Sequence, residues 1–173
     1  MLNLSRRISV GPVTVAGGRG VASLTLSFED RRKSRLRACL DDGREVAVLL
    51  ARGTILHEGD CLFDEEEKVL VVVRAAAETL SVAHTTDWQL LARAAYHLGN
   101  RHVPLQVGPN WLAYEHDHVL DGMVCALGLA VVVERRPFEP EAGGYGHGHG
   151  HGESHAAEHT HKPGATWALA RPR

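Results

Sequence analysis

The stretch TLSVAHTTDWQLLARAAYHLGNRHVPLQVGPNWLAYEHDHVLDGMVCALGLAVVVE, residues 79–134, decides the fold of this chain. It opens on Thr79-Leu80-Ser81-Val82-Ala83, a short run with strand character. Asp87 then offers a carboxylate at a helix N-cap, and Leu90, Leu91, Ala94, Ala95 and Leu98 recur along one helical face until Gly99-Asn100 stops it. Val103-Pro104-Leu105-Gln106-Val107 reads as a second strand, its proline near the start where a missing N–H is tolerated. Gly108-Pro109-Asn110 turns the chain into a third, Trp111-Leu112-Ala113-Tyr114. A second helix runs from Asp117 to Leu127, with Val119, Leu120, Met123 and Leu127 along one side and Gly128 as its stop. Leu129-Ala130-Val131-Val132-Val133-Glu134 is the last strand. The order β-α-β-β-α-β is that of a ferredoxin-like split βαβ domain.

Upstream the periodicity changes. Residues 2–75 alternate short apolar runs with turns: Ser23-Leu24-Thr25-Leu26-Ser27-Phe28 and Glu45-Val46-Ala47-Val48-Leu49 have period two, and Asp41-Asp42-Gly43 supplies a hairpin-type turn before the second. Cys61-Leu62-Phe63 follows the turn Glu58-Gly59-Asp60, and Val69-Leu70-Val71-Val72-Val73 is β-branched enough for a buried strand. The basic segment from Glu29 to Arg37 reads as a solvated strand edge or loop. The fold class is therefore α+β: a small β domain of partner- or peptide-binding type over residues 1–75, a ferredoxin-like metal-binding domain over 76–141, and a tail over 142–173. Apolar content collapses from about Glu141 onward, so the tail is expected to be disordered.

Composition narrows the function. In 173 residues, 19 Lys+Arg stand against 21 Asp+Glu, a formal charge of −2 with no basic excess to neutralise phosphates, so nucleic acid is not expected as a partner. No run approaches the roughly 20 apolar residues of a membrane span, and no secretory apolar region follows Met1-Leu2-Asn3-Leu4-Ser5-Arg6-Arg7. The expectation is a cytoplasmic protein. Cys39, Cys61 and Cys125 are far apart and outside any Cys-x-x-Cys pattern, which predicts reduced, mostly buried thiols instead of disulfides or a thiolate zinc site.

Histidine is the outlier, at 12 residues. Six of them, His147, His149, His151, His155, His159 and His161, lie in a glycine-interleaved tail segment that is a metal-binding surface by ligand chemistry alone, imidazole suiting Ni, Zn and Cu ions. In the body, His102 follows the first helix, and His116 and His118 flank Asp117 where the third strand meets the second helix. Residues two apart on an extended segment share a face, so both rings of the His116-Asp117-His118 group are placed to reach one ion. His102 alone is a single ligand, but a twofold dimer would turn it into a pair. His97 reads as a packed or half-exposed helix residue, and His57 and His84 as surface residues. A zinc hydrolase built on His116, Asp117 and His118 would need a third ligand and a placed acid or base, and neither a His-Glu-x-x-His motif nor a nucleophile signature is present.

Three segments together carry a resemblance: Leu91-Ala92-Arg93-Ala94-Ala95-Tyr96-His97-Leu98-Gly99-Asn100-Arg101-His102-Val103-Pro104-Leu105-Gln106, then Tyr114-Glu115-His116-Asp117-His118-Val119-Leu120-Asp121, then Pro137-Phe138-Glu139-Pro140-Glu141-Ala142-Gly143-Gly144-Tyr145. They resemble the UreE family of urease accessory proteins, nickel metallochaperones, and Lys33-Ser34-Arg35-Leu36-Arg37 with Gly43-Arg44-Glu45-Val46 resembles that family's N-terminal domain. The resemblance implies a non-enzymatic homodimer in which His102 of each subunit forms the principal Ni²⁺ site, Zn²⁺ or Cu²⁺ substituting. It implies auxiliary ligands at His116 and His118, extra nickel capacity in the tail, and delivery to apo-urease together with the GTPase UreG and the other accessory proteins. The alternative is a general divalent-metal buffer or store with no delivery role.

Overall fold

The computed structural model describes residues 2–9, 20–64 and 69–142, which build two sheets. In the first, β1 (Leu2–Ile8), β2 (Gly20–Leu26), β3 (Arg35–Cys39), β4 (Glu45–Leu49), β5 (Cys61–Asp64) and β6 (Val69–Ala75) lie in the order β2-β6-β5-β1-β4-β3. The period-two pattern explains the core: Leu4, Leu24, Val46, Val48, Leu62, Val71 and Val73 are fully buried in one cluster. The sheet curls until its edges communicate. The Asp41 N–H donates to the Ser23 carbonyl at 2.9 Å, and the Asp41 carboxylate accepts from the Thr25 N–H and hydroxyl at 3.2 and 2.9 Å, tying the turn after β3 to β2.

After the single residue Ala76 come β7 (Ala77–His84), α2 (Trp88–Gly99), β8 (Gln106–Gly108), β9 (Trp111–Glu115), α3 (His118–Ala126) and β10 (Ala130–Pro137); the short α1 (Phe28–Arg31) belongs to the first half. The second sheet is antiparallel in the order β10-β7-β9-β8, the ferredoxin-like order. Both helices cover one face, where Ala94, Leu98 and Val124 pack on Ala83, Leu112 and Tyr114. On the other face Leu80, Val82, Ala113 and Phe138 cluster with Phe28 and Trp111.

Four details differ from the sequence reading. Val103–Leu105 do not join the ladder, which starts only at Gln106, because the Val103 N–H is spent on the Leu98 carbonyl at 3.3 Å and Pro104 has none. The last strand continues past Glu134 to Pro137, paired with Ala77. The basic segment is not uniformly solvated: it begins with a helical turn, capped by Ser27, in which Arg31 is fully buried. Its guanidinium bonds the Leu56 carbonyl at 3.1 Å, the Phe138 carbonyl and the Glu139 carboxylate, partners distant in sequence. Of the three thiols only Cys61 is buried; Cys39 and Cys125 are exposed. The tail from residue 143, with its six histidines, lies outside the described residues.

Candidate metal site

His102 owes its place to the way α2 ends. Asp87 caps the start, its carboxylate accepting from the N–H groups of Gln89 and Leu90 at 2.9 and 3.1 Å. At the other end the Leu98 carbonyl accepts from both Arg101 and Val103, and the His102 N–H bonds the Gly99 carbonyl at 2.9 Å. This closure needs a left-handed residue, a position glycine usually fills. Here it is His102, with φ of 56°, the only non-glycine residue of positive φ among those described. Its side chain is exposed, beside the helix end whose dipole favours a cation.

The solvent face of α2 was not foreseen. Leu91, Ala94, Ala95 and Leu98 pack inward as expected, but Trp88 and Tyr96, two turns apart, are 73% and 66% exposed, with exposed Ala92 between them. Val119 on α3 is 65% exposed. The sequence signal was present as aromatics off the main apolar stripe; their exposure required the tertiary packing.

His116 is placed by β9. Leu112 and Tyr114 face the helices and Ala113 the opposite side, so period two carries His116 to the helix side, and Ser81 on β7 lies opposite Tyr114. The His116 Nδ1 is 3.0 Å from Ser81 Oγ and 3.2 Å from Asp121 Oδ2, while the Tyr114 hydroxyl donates to Asp121 Oδ1 at 2.8 Å. Burial first, and the Asp121 bond second, push the Tyr114 phenol far above its ordinary value, so it remains a donor. Ser81 and Asp121 meet the same ring nitrogen, so the ring cannot relay a proton between them, and Ser81 is fully buried. Nucleophilic catalysis needs the base to offer its two nitrogens to different partners. Ser81, Tyr114 and Asp121 escaped sequence reasoning because their meeting depends on strand pairing and on where α3 lands.

His118 is the first residue of α3 and exposed. Asp117 between the two histidines has extended backbone and caps α3, accepting from the Val119 and Leu120 N–H groups at 2.7 and 3.1 Å. Those bonds, Leu120's foremost, hold its carboxyl below the ordinary range. No group of three or more metal-ligating side chains occurs among the described residues. Of the remaining histidines, His97 is half-buried against Tyr96 with ring centroids 5.4 Å apart, His57 bonds Glu139 at 3.1 Å, and His84 ends β7 exposed.

Residues 16–76 match the model of the N-terminal domain of the UreE urease accessory protein, and residues 78–162 that of its C-terminal domain. The chain belongs to the UreE family. Among its relatives, a urease accessory protein UreE of Pseudomonas putida strain F1 is 53% identical over 145 residues, 84% of each chain. That of Alkalilimnicola ehrlichii is 59% identical over 125 residues, 72% of this chain and 76% of the relative. That of Escherichia coli O157:H7 is 45% identical over 161 residues, 93% of this chain and all of the relative. These UreE relatives are named accessory proteins of urease and not urease itself. Among the described residues, no helix is long and apolar enough to cross a membrane.

Proposed function

We propose that this chain is a nickel carrier for urease maturation: two copies hold one Ni²⁺ between their His102 rings, His116 and His118 are auxiliary ligands, and the six tail histidines add capacity. Nickel is cargo here and not a resident cofactor. The observation that carries the reading is His102 itself, an imidazole kept exposed in a backbone conformation that costs a non-glycine residue about 1–2 kcal/mol. Strain of that kind persists where the side chain has a task. The apolar Trp88–Tyr96 face on the same helix is the surface a second copy would cover. Imidazole-only donors suit a carrier, since they hold a borderline ion without the grip of thiolate. On this reading residues 76–141 hold the metal in the dimer, residues 142–173 extend it, and residues 1–75 serve partners, the GTPase UreG and the apo-urease complex, in the cytoplasm.

The test is nickel calorimetry and light scattering on the full chain and on His102→Ala. Loss of the tightest site with tail binding retained is expected; unchanged affinity for the tightest-held ion would overturn the proposal. Truncation after Gly144 should lower the stoichiometry and spare the central ion. Because imidazole binds metal only when deprotonated, loading should fall on acidification. Calorimetry giving equal affinity at pH 7.5 and 5.5 contradicts an imidazole site. Gene deletion separates carrier from buffer, since lost urease activity restored by excess nickel marks delivery.

A further inference from the structure

We infer that Asp121, braced by Tyr114, is a positioning residue that fixes which nitrogen of His116 meets a metal ion, leaving Nε2 as the ligand. The inference rests on the carrier reading above. A neutral imidazole has one N–H donor and one lone-pair acceptor, and the partner of one nitrogen decides the role of the other. The His116 Nδ1 faces two oxygens of opposite tendency: Asp121 Oδ2 at 3.2 Å and Ser81 Oγ at 3.0 Å. An ionised carboxylate can only accept, so it places the ring proton on Nδ1 and frees Nε2. A hydroxyl can donate, and if Ser81 prevailed the proton would sit on Nε2 and block it. The Asp121 contact is an ion-pair distance and not an aligned hydrogen bond, but a carboxylate 3.2 Å from a ring nitrogen favours a proton there over a lone pair, so Asp121 decides the tautomer.

Tyr114 makes the choice rigid. Its hydroxyl is fully buried with the rest of the side chain and donates to Asp121 Oδ1 at 2.8 Å, which leaves Oδ2 for His116. His118 makes no hydrogen bond or ion pair among the described residues, its influence on Asp117 being electrostatic, so the two histidines beside Asp117 are unequal, one ring met by oxygens at Nδ1 and the other not. A ring already oriented loses less freedom when it binds.

The same geometry makes Asp121→Asn a directed test. The Tyr114 hydroxyl keeps the amide oxygen on its own side, so the amide NH₂ faces His116 and donates to Nδ1, driving the ring proton to Nε2 with no change of side-chain shape. Nitrogen-15 NMR of the full chain reads the His116 tautomer without metal, and a titration with Zn²⁺ alone as a diamagnetic probe reads the ligating nitrogen and the half-saturation of that ring. The expected result is Nδ1–H in the unmodified chain with zinc on Nε2. In Asp121→Asn the proton should move to Nε2 and zinc half-saturation at His116 should rise by about 10–100-fold. Ser81→Ala, which removes only the competitor, should keep both the tautomer and the zinc affinity, and serves if the first variant folds poorly. An Nε2–H ring in the unmodified chain, or a folded Asp121→Asn with unchanged tautomer and affinity, overturns the inference while leaving the carrier reading intact. An Nδ1–H ring that takes no zinc in the unmodified chain removes His116 from the carrier's ligands and overturns the inference through its premise.

Discussion

At the scale of single residues, the role proposed for His102 sets stability against function. Replacing His102 with glycine relieves a left-handed strain of about 1–2 kcal/mol and adds unfolded-chain freedom of roughly 0.5–1 kcal/mol, so a net gain of up to about 1.5 kcal/mol is expected. In a thermal melt each kcal/mol is roughly 2–4 °C for a chain of this size. The same His102→Gly protein should lose its tightest nickel site. A glycine variant that melts lower, or one that keeps the site, would contradict the view that this backbone is tolerated for the sake of its imidazole. That His102 was a candidate ligand was legible from its residue type and place after a helix. That it occupies the left-handed closing position was not, because the sequence offers Gly99 and Asn100 as the conventional stop and the chain passes both before it turns.

At the scale of elements, the two helices of the second half are capped by aspartates; the sequence reading names Asp87 as a cap and takes Asp117 as the first residue of its helix. Asp87→Ala should cost about 1 kcal/mol, measured by denaturant unfolding, because two backbone N–H groups lose their acceptor. Asp117 adds a pH dependence whose sign follows from its lowered pKa: a carboxyl depressed in the folded state stabilises above its ordinary value of 3.8, and that contribution is lost as pH falls through the lower folded value. The acid limb of the unfolding curve should therefore flatten in Asp117→Asn; an unchanged limb would show that the cap is not ionised. The apolar stripes of both helices were legible because period 3.6 is a local property, except for Val119, which reads with the stripe of α3 and faces solvent. The shortening of β8 was not, since it depends on one N–H being claimed by the closing turn of α2.

At the scale of the whole molecule, the joint between the halves is polar at its centre. Arg31, fully buried in the first half, reaches the Phe138 carbonyl and the Glu139 carboxylate beyond β10, and Glu139 also accepts from the Glu58 N–H at 3.1 Å. The Phe28 N–H donates to Glu78 at 2.8 Å and its ring meets Phe138 edge-on at 5.6 Å. Removing one partner of a buried charge leaves the other uncompensated, so Glu139→Ala should lose about 3 kcal/mol in denaturant unfolding. A loss below about 1 kcal/mol would mean that the carbonyls of Leu56 and Phe138 satisfy Arg31 unaided.

The sequence by itself determined the class of each half, the order of the elements in the second half, the helix starts and the donor type of the candidate ligands, because periodicity, capping and side-chain chemistry are carried by residues close along the chain. Only the tertiary structure decided that Arg31 is buried, that Trp88 and Tyr96 face outward, and that Ser81 and Asp121 flank one nitrogen of His116 while Tyr114 holds Asp121. Each of those facts depends on groups brought together from distant positions by strand register and helix packing, and no local pattern records which partner a buried charge or an imidazole will meet.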